Sequence, residues 1–265
     1  MKEELTASIR AYWRSHPDYA REACASGVDV ESGVLPIRGV LFDMDGVLFN
    51  SMPFHATAWA KVCNEYGLAM TEEDVYLHEG RTGFSTINCL TTRQWGRETT
   101  EEEVAHIYAL KCVEFNKFPE AEKMPGAHSL LEQVKASGRK IGVVTGSGQE
   151  SLLERLGTNF PGIFCRERVT CSHDYTKGKP NPEPYLMGLQ KLGLRPWETL
   201  VVENAPLGIR AAVAAGMFTI AANTGPLADD ILLAEGAGLL FPSMQALSDA
   251  WAEIERHLQS EKMIE

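Results

Sequence analysis

The chain has 265 residues, of which 44% are hydrophobic and 23% charged, and its net charge is −11. That length suits one large domain, or a domain with a smaller one inserted, and can bury a substantial core. No basic patch is visible, which argues against nucleic acid as a partner; a site for an anionic substrate has to create its own positive field. Residues Met1 to Ala20 carry charges throughout with no apolar core, so no signal peptide is expected. No apolar run reaches membrane-span length, so no membrane association is expected. The cysteines Cys24, Cys63, Cys89, Cys112, Cys165 and Cys171 show neither a CxxC pair nor metal-ligand spacing. They read as thiols in a reducing compartment, and the expected location is cytoplasmic.

In chain order, Ile9, Tyr12 and Trp13 have helical spacing and predict an outer N-terminal helix with no role in chemistry. A strand is expected over roughly residues 37–43, ending at Asp43-Met44-Asp45-Gly46. Ser51 and Pro53 open a helix whose His55, Trp59, Val62 and Tyr66 share a face, and Gly67 ends it. Thr71-Glu72-Glu73-Asp74 starts another helix with a capping pattern. After His78-Glu79-Gly80-Arg81-Thr82-Gly83, helical patterns resume over Ile87–Trp95 and Glu101–Phe118. The acids are thus separated from the next strand by far more chain than a βαβ crossover needs. The excess predicts an inserted helical unit, roughly residues 50–122, sitting over the carboxylates as a cap, with residues 1–49 and 123–265 forming the core. Beyond it, helix Ala127–Ser137, strand Lys140–Val144 and helix Gln149–Leu156 are expected, then a strand over Phe164–Thr170. A rigid loop Lys177–Pro184 leads to a helix near Tyr185 and a strand Thr199–Val202 that ends at Glu203-Asn204. Helix Pro206–Ala215, strand Met217–Ala221, an edge strand Leu239–Phe241 and a terminal helix through His257 complete an α/β pattern with a doubly wound parallel sheet.

Strand ends in such a sheet line the ligand crevice. Asp43 and Asp45 repel each other unless a cation or a shared proton relieves them. The plain alternative is an acidic turn after a strand. Carboxylates with the amide oxygen of Asn204 suit a hard cation such as Mg²⁺. Thr145, the amides of Gly146 and Ser147, and Lys179 suit phosphoryl oxygens. Taken singly, Thr145-Gly146-Ser147-Gly148 is an ordinary turn and Lys179 a solvated lysine. Their joint placement on one sheet edge favours a site.

Asp43-Met44-Asp45-Gly46-Val47, Thr145, Lys179-Pro180 and Glu203-Asn204 resemble the four ordered motifs of the haloacid dehalogenase (HAD) superfamily, over nearly the whole chain from about residue 37. The insert resembles the C1 cap of the β-phosphoglucomutase subgroup on a Rossmann-like core. His78–Gly83, Lys179–Tyr185 and Val202–Gly208 are similar to a HAD-type inorganic pyrophosphatase of that subgroup. The resemblance implies that Asp43 forms an aspartyl-phosphate and Asp45 serves as general acid and base. It also implies that Thr145 and Lys179 hold the transferring oxygens, and that Mg²⁺ sits on Asp43, the Asp45 carbonyl and Asn204. Glu203 would orient Lys179 or a metal-bound water.

Two departures stand out. Position 204 is usually Asp in the superfamily and here is Asn, which removes a negative charge from the metal site. The mutases carry Lys where Glu79 stands and Arg where Gly83 stands. The expectation is therefore a Mg²⁺-dependent phosphohydrolase, first an inorganic pyrophosphatase, in which Glu79 reaches the metal directly or through water. A sugar-phosphate phosphatase or β-phosphoglucomutase is the alternative, and a non-catalytic phosphosugar-binding regulator the reading from another class. His55 and Lys111, each on an otherwise apolar face, read either as a core histidine and a snorkelling lysine or as contacts to the leaving phosphate.

Overall fold

A computed structural model describes residues 1–148 and 152–258. Its centre is a parallel sheet of β1 (Gly39–Phe42), β2 (Lys140–Val144), β3 (Val169–Thr170), β4 (Thr199–Glu203), β5 (Phe218–Ala222) and β6 (Leu239–Phe241), in the order β3-β2-β1-β4-β5-β6. The direction of strand succession reverses between β1 and β4, the position where open α/β sheets leave a ligand crevice. Phe42 is level with Val143 on one side and Val202 on the other. Asp43 therefore leaves its strand beside Val144 and Glu203.

Both sheet faces are covered, so the strands read as unbroken apolar runs. Val40, Phe42, Leu200 and Val202 pack into one core with α1 (Lys2–Ser15), α7 (Ala127–Ala136) and α12 (Met244–Glu255). Leu41, Val144 and Val201 pack on the other face against α9 (Glu183–Leu192) and α10 (Pro206–Ala214). The N-terminal segment forms α1 and a second helix, α2 (Pro17–Ala25), and is clamped to the turn before β5 by Tyr12, whose hydroxyl donates to the Gly216 carbonyl at 2.9 Å. The remaining core helices are α8 (Leu152–Asn159) and α11 (Asp229–Ala234).

The insert comprises α3 (Met52–Glu65), α4 (Glu72–Leu77), α5 (Gly83–Trp95) and α6 (Glu101–Phe115) around a core of its own, including Trp59, Val62, Ile87, Leu90 and Ile107. Capping boxes at Thr71/Asp74 and Thr100/Glu103 start α4 and α6 by satisfying amides that a helix start leaves unpaired.

Several boundaries differ from the sequence reading. β1 starts at Gly39 because Ile37 and Arg38 make turn-type and lead-in contacts, with Arg38 N–H on the Glu198 carbonyl. The strand expected over Phe164–Thr170 shrinks to Val169–Thr170, because Arg166–Arg168 wind into a 3-10 turn at the sheet edge. α6 stops at Phe115, and Phe118 turns back to stack on Phe54 with ring centres 5.0 Å apart. The start of the helix expected over Gln149–Leu156 lies outside the described residues. Among the described residues no helix is long and apolar enough to cross a membrane.

Candidate active site

The strand-end residues converge as their spacing predicts. Lys179 is buried, and its ammonium reaches Asp43 Oδ1 at 2.5 Å, Glu203 Oε1 at 2.7 Å and the Val144 carbonyl at 3.3 Å. A buried ammonium is costly unless each proton is placed, and here all three are. Glu203 is completely buried and also accepts the Asn204 and Ala205 amides on Oε2. Its carboxylate fits against α10 only because residue 208 is glycine: a Cβ there would lie 1.7 Å from Oε1. Thr145 is buried, and its hydroxyl accepts the Ser147 amide at 3.0 Å, which shapes the turn holding Gly146 and Ser147.

Asp45 receives the Ser51 hydroxyl at 2.5 Å. Ser51, noted in the sequence only as a helix start, was missed as a site residue. Beyond Asp45 lies a line of side chains from the insert. Lys111 Nζ is 2.7 Å from His55 Nδ1 and sits over the rings of Trp59 and Phe115. An ammonium can only donate, so Nδ1 accepts and the imidazole proton sits on Nε2, which faces Asp45 Oδ1 at 3.6 Å. Lys111 is thus neither snorkelling nor unpaired; it is 5% exposed, and burial brings its pKa down to about 8. Burial and the Lys111 charge push His55 down, keeping the ring neutral. Burial alone would raise Asp45, but its contacts with His55 and Ser51, helped by Arg155, hold it below the ordinary carboxylate range. Of these, the Ser51 hydroxyl is the firm hydrogen bond, since the His55 contact is long and uncharged.

From the cap side, Glu79 Oε1 accepts Asn204 Nδ2 at 2.9 Å. Gly46, at φ +82°, brings the turn after β1 so close to Asn204 that a Cβ would lie 2.1 Å from Nδ2. Burial and the charge of Asp43 push Glu79 well above the usual carboxylate range. Asp43 is pushed up to about 8 by burial, opposed by Lys179 and reinforced by Glu203 and Asp45. Lys179 thus pairs with two carboxylates, Asp43 and Glu203, while Asp45 and Glu79 add their negative charge beside Asp43.

That excess of negative charge fits a bound cation, and so does Asn204 Oδ1, which is buried without a hydrogen-bond partner. Among the described residues no cluster of three or more His, Cys, Asp or Glu side chains is disposed to hold a metal. The donor set on hand is Asp43, Asn204 Oδ1 and main-chain oxygen, a hard set of the kind that suits Mg²⁺.

Asp43, Asp45, His55, Glu79, Lys111, Gly146 and Ser147 line one cavity of about 110 Å³ between insert and sheet. Thr145, Lys179 and Asn204 are not part of that lining and join it through their hydrogen-bond partners Ser147, Asp43 and Glu79. Arg81 and His78 also line it and were not singled out from sequence.

A family model described as haloacid dehalogenase-like hydrolase matches residues 40–222. Hexitol phosphatase A of Escherichia coli is 31% identical over 187 residues, covering 70% of this chain and 83% of that protein. Beta-phosphoglucomutase of Bacillus subtilis is 25% identical over 228 residues, covering 82% of this chain and 96% of that protein. A solved structure from Bacteroides vulgatus, whose name assigns it provisionally to beta-phosphoglucomutase, has a TM-score of 0.89 at 47% identity, covering 98% of this chain and 100% of that one.

Proposed function

Because this chain belongs to the haloacid dehalogenase-like hydrolase family, we propose that it is a Mg²⁺-dependent phosphohydrolase of a small phosphorylated compound, with inorganic pyrophosphate as the substrate the site geometry favours. Asp43 attacks phosphorus; the Asp43 O–P bond forms as the bond to the leaving oxygen breaks, and that oxygen takes its proton from Asp45, which is ionised in the resting site and picks up a proton only when the anionic substrate lies beside it. Asp45 then takes a proton from water, which attacks the aspartyl-phosphate and releases phosphate with Asp43 restored. Lys179 and the Gly146 amide hold the transferring oxygens, and the Ser147 amide, committed to the Thr145 hydroxyl, shapes the turn that presents them, since phosphoryl transfer depends mostly on positioning and charge. Mg²⁺ held by Asp43, the Asp45 carbonyl and Asn204 would neutralise phosphoryl oxygens and lower the proton affinity of Asp43. Helices α3–α6, within residues 50–122, act as the cap, and its Lys111 and His55 meet the leaving phosphate.

The observation that carries the pyrophosphate reading is the Glu79–Asn204 hydrogen bond. The cap places the Glu79 carboxyl group beside Asn204 at the proposed metal position, where its ionisation is opposed until a cation arrives, so it favours an anion that comes with metal. The cavity is also compact, well below the several hundred Å³ typical of larger ligands.

A second reading, a sugar-phosphate phosphatase or β-phosphoglucomutase, has its own support: the relatives named above carry hexitol phosphatase and phosphoglucomutase names, and none is named a pyrophosphatase. On the comparisons alone this reading is the better backed. Phosphate release with Mg²⁺ from pyrophosphate, hexose 6-phosphates and a hexitol phosphate separates the two. So does a coupled assay for conversion of β-glucose 1-phosphate in the presence of its bisphosphate. Preference for a sugar phosphate, or mutase turnover, overturns the pyrophosphate reading and leaves the phosphohydrolase core in place.

A further inference from the structure

Tyr185, in the first turn of α9, is completely buried, and its hydroxyl donates to Glu203 Oε1 at 2.8 Å. A buried tyrosine hydroxyl ordinarily finds some acceptor; what matters here is which one. Glu203 Oε1 is the same oxygen that accepts the Lys179 ammonium at 2.7 Å. The Tyr185 ring also lies under that ammonium, 4.9 Å from Nζ to the ring centre. The other carboxylate oxygen is taken by two backbone amides. Glu203 is therefore held by four donors, and Tyr185 is the one among them that can be removed without touching the backbone or the lysine.

Lys179 stands between two carboxylates, Asp43 and Glu203. The more negative charge Glu203 Oε1 leaves undivided, the more firmly it holds the ammonium away from Asp43 and whatever Asp43 attacks. A hydroxyl donating to that oxygen draws off part of its charge and fixes its position.

We propose that Tyr185 is a positioning residue for phosphoryl transfer: by sharing Glu203 Oε1 with Lys179, its hydroxyl keeps the ammonium directed at Asp43 and the transferring phosphoryl oxygens. The proposal rests on the phosphoryl-transfer reading above but not on the choice of pyrophosphate. The contact between Lys179 and phosphoryl oxygen strengthens as charge develops on the way to the transition state, so its loss falls on kcat more than on KM.

The test is Tyr185→Phe, which keeps the ring, its packing and its place under Lys179. The expected result is a kcat lower by on the order of tenfold with KM within about twofold, on whichever of pyrophosphate and hexose 6-phosphate the wild type prefers. The melting temperature should stay within about 4 °C of wild type. Calorimetric affinity for trifluoroberyllate with Mg²⁺, a mimic of the phosphoryl group on Asp43, should weaken several-fold. In a Glu203→Gln background, Tyr185→Phe should cost nothing more, because the hydroxyl acts through that carboxylate.

Unchanged kcat and unchanged trifluoroberyllate affinity would overturn the proposal. So would an equal loss in both backgrounds, which makes Tyr185 structural. If the wild type hydrolyses neither substrate, the proposed function fails, while the trifluoroberyllate affinities still decide the role of Tyr185. A wild type that does not bind the mimic removes the premise that Asp43 takes a phosphoryl group, and the proposal falls with it.

Discussion

Asn204 Nδ2 donates to Glu79 Oε1 across 2.9 Å, joining the end of β4 to the loop between α4 and α5. The same amide leaves its oxygen buried and unpartnered. The donor of this side chain is thus committed to the cap, while its oxygen is left available to the proposed metal. Glu79→Ala removes the cap partner alone. Its kcat is expected to fall by roughly 10–100-fold, the scale seen when a group supporting a metal ligand is lost. The melting temperature should stay near wild type, because the variant also removes a carboxyl group whose ionisation burial and Asp43 oppose. Steady-state kinetics beside a thermal melt check both.

Asn204→Asp separates the two functions of the amide. A carboxylate at this position adds a charge to the metal site, so Mg²⁺ should bind more tightly. It can no longer donate to Glu79, and two facing carboxylates repel. The cap should then close less readily and KM for pyrophosphate should rise. Magnesium titration by calorimetry and KM measured at saturating Mg²⁺ should therefore move in opposite senses; movement in the same sense would mean the donor side of Asn204 is idle.

Lys111 gives the pH dependence. Its pKa, brought down to about 8 by burial, makes it an ammonium below that pH and neutral above it. If the charged form holds the leaving phosphate, kcat/KM falls above about pH 8, and Lys111→Arg moves that limb to higher pH. Stability has the opposite trend. Between about 8 and the ordinary lysine value of 10.5 the unfolded chain binds more protons than the folded one, so stability rises with pH across that window. The penalty of burying the charge is complete below about 8. A Lys111→Met variant should lose that rise when its melting temperature is compared with wild type from pH 7 to 10.5.

The cap closes onto glycines. A Cβ at Gly225 would lie 2.9 Å from the Tyr76 ring, and one at Gly178 would lie 2.8 Å from the Thr82 methyl. Gly225→Val should hold the cap away from the sheet and lower kcat/KM by about tenfold, the loss expected when positioning groups are displaced slightly. Adding Tyr76→Ala should recover much of the loss, since it removes the clashing ring. Failure of the double variant to recover activity would mean that Gly225 matters for its own loop and not for the cap.

Much of this arrangement was legible because local pattern decides it. Val40–Phe42 and Leu200–Val202 are apolar runs stopped by acids, and a parallel sheet covered on both faces places those stops at one edge. The excess chain between Asp45 and Lys140 foretold the helical insert. His55 and Lys111 stood out as polar residues on apolar faces, but not as partners of each other, because 56 residues separate them. Tyr185 and Ser51 were invisible as site residues for a related reason. A buried tyrosine in a first helical turn and a serine before a helix carry ordinary explanations, and only tertiary packing puts their hydroxyls on Glu203 and Asp45. β3 was read too long because Phe164 and Cys165 look strand-like, whereas Arg166-Glu167-Arg168 turns at the edge before Val169 joins β2.

The most direct measurement compares wild type and Glu79→Ala, each with pyrophosphate and with a hexose 6-phosphate, at saturating Mg²⁺. The account predicts that wild-type kcat/KM for pyrophosphate exceeds that for the sugar phosphate by at least about 100-fold, a difference of roughly 3 kcal/mol in transition-state binding, and that most of this margin disappears in the variant. Equal rates on the two substrates in wild type, or a margin that survives loss of Glu79, would contradict it.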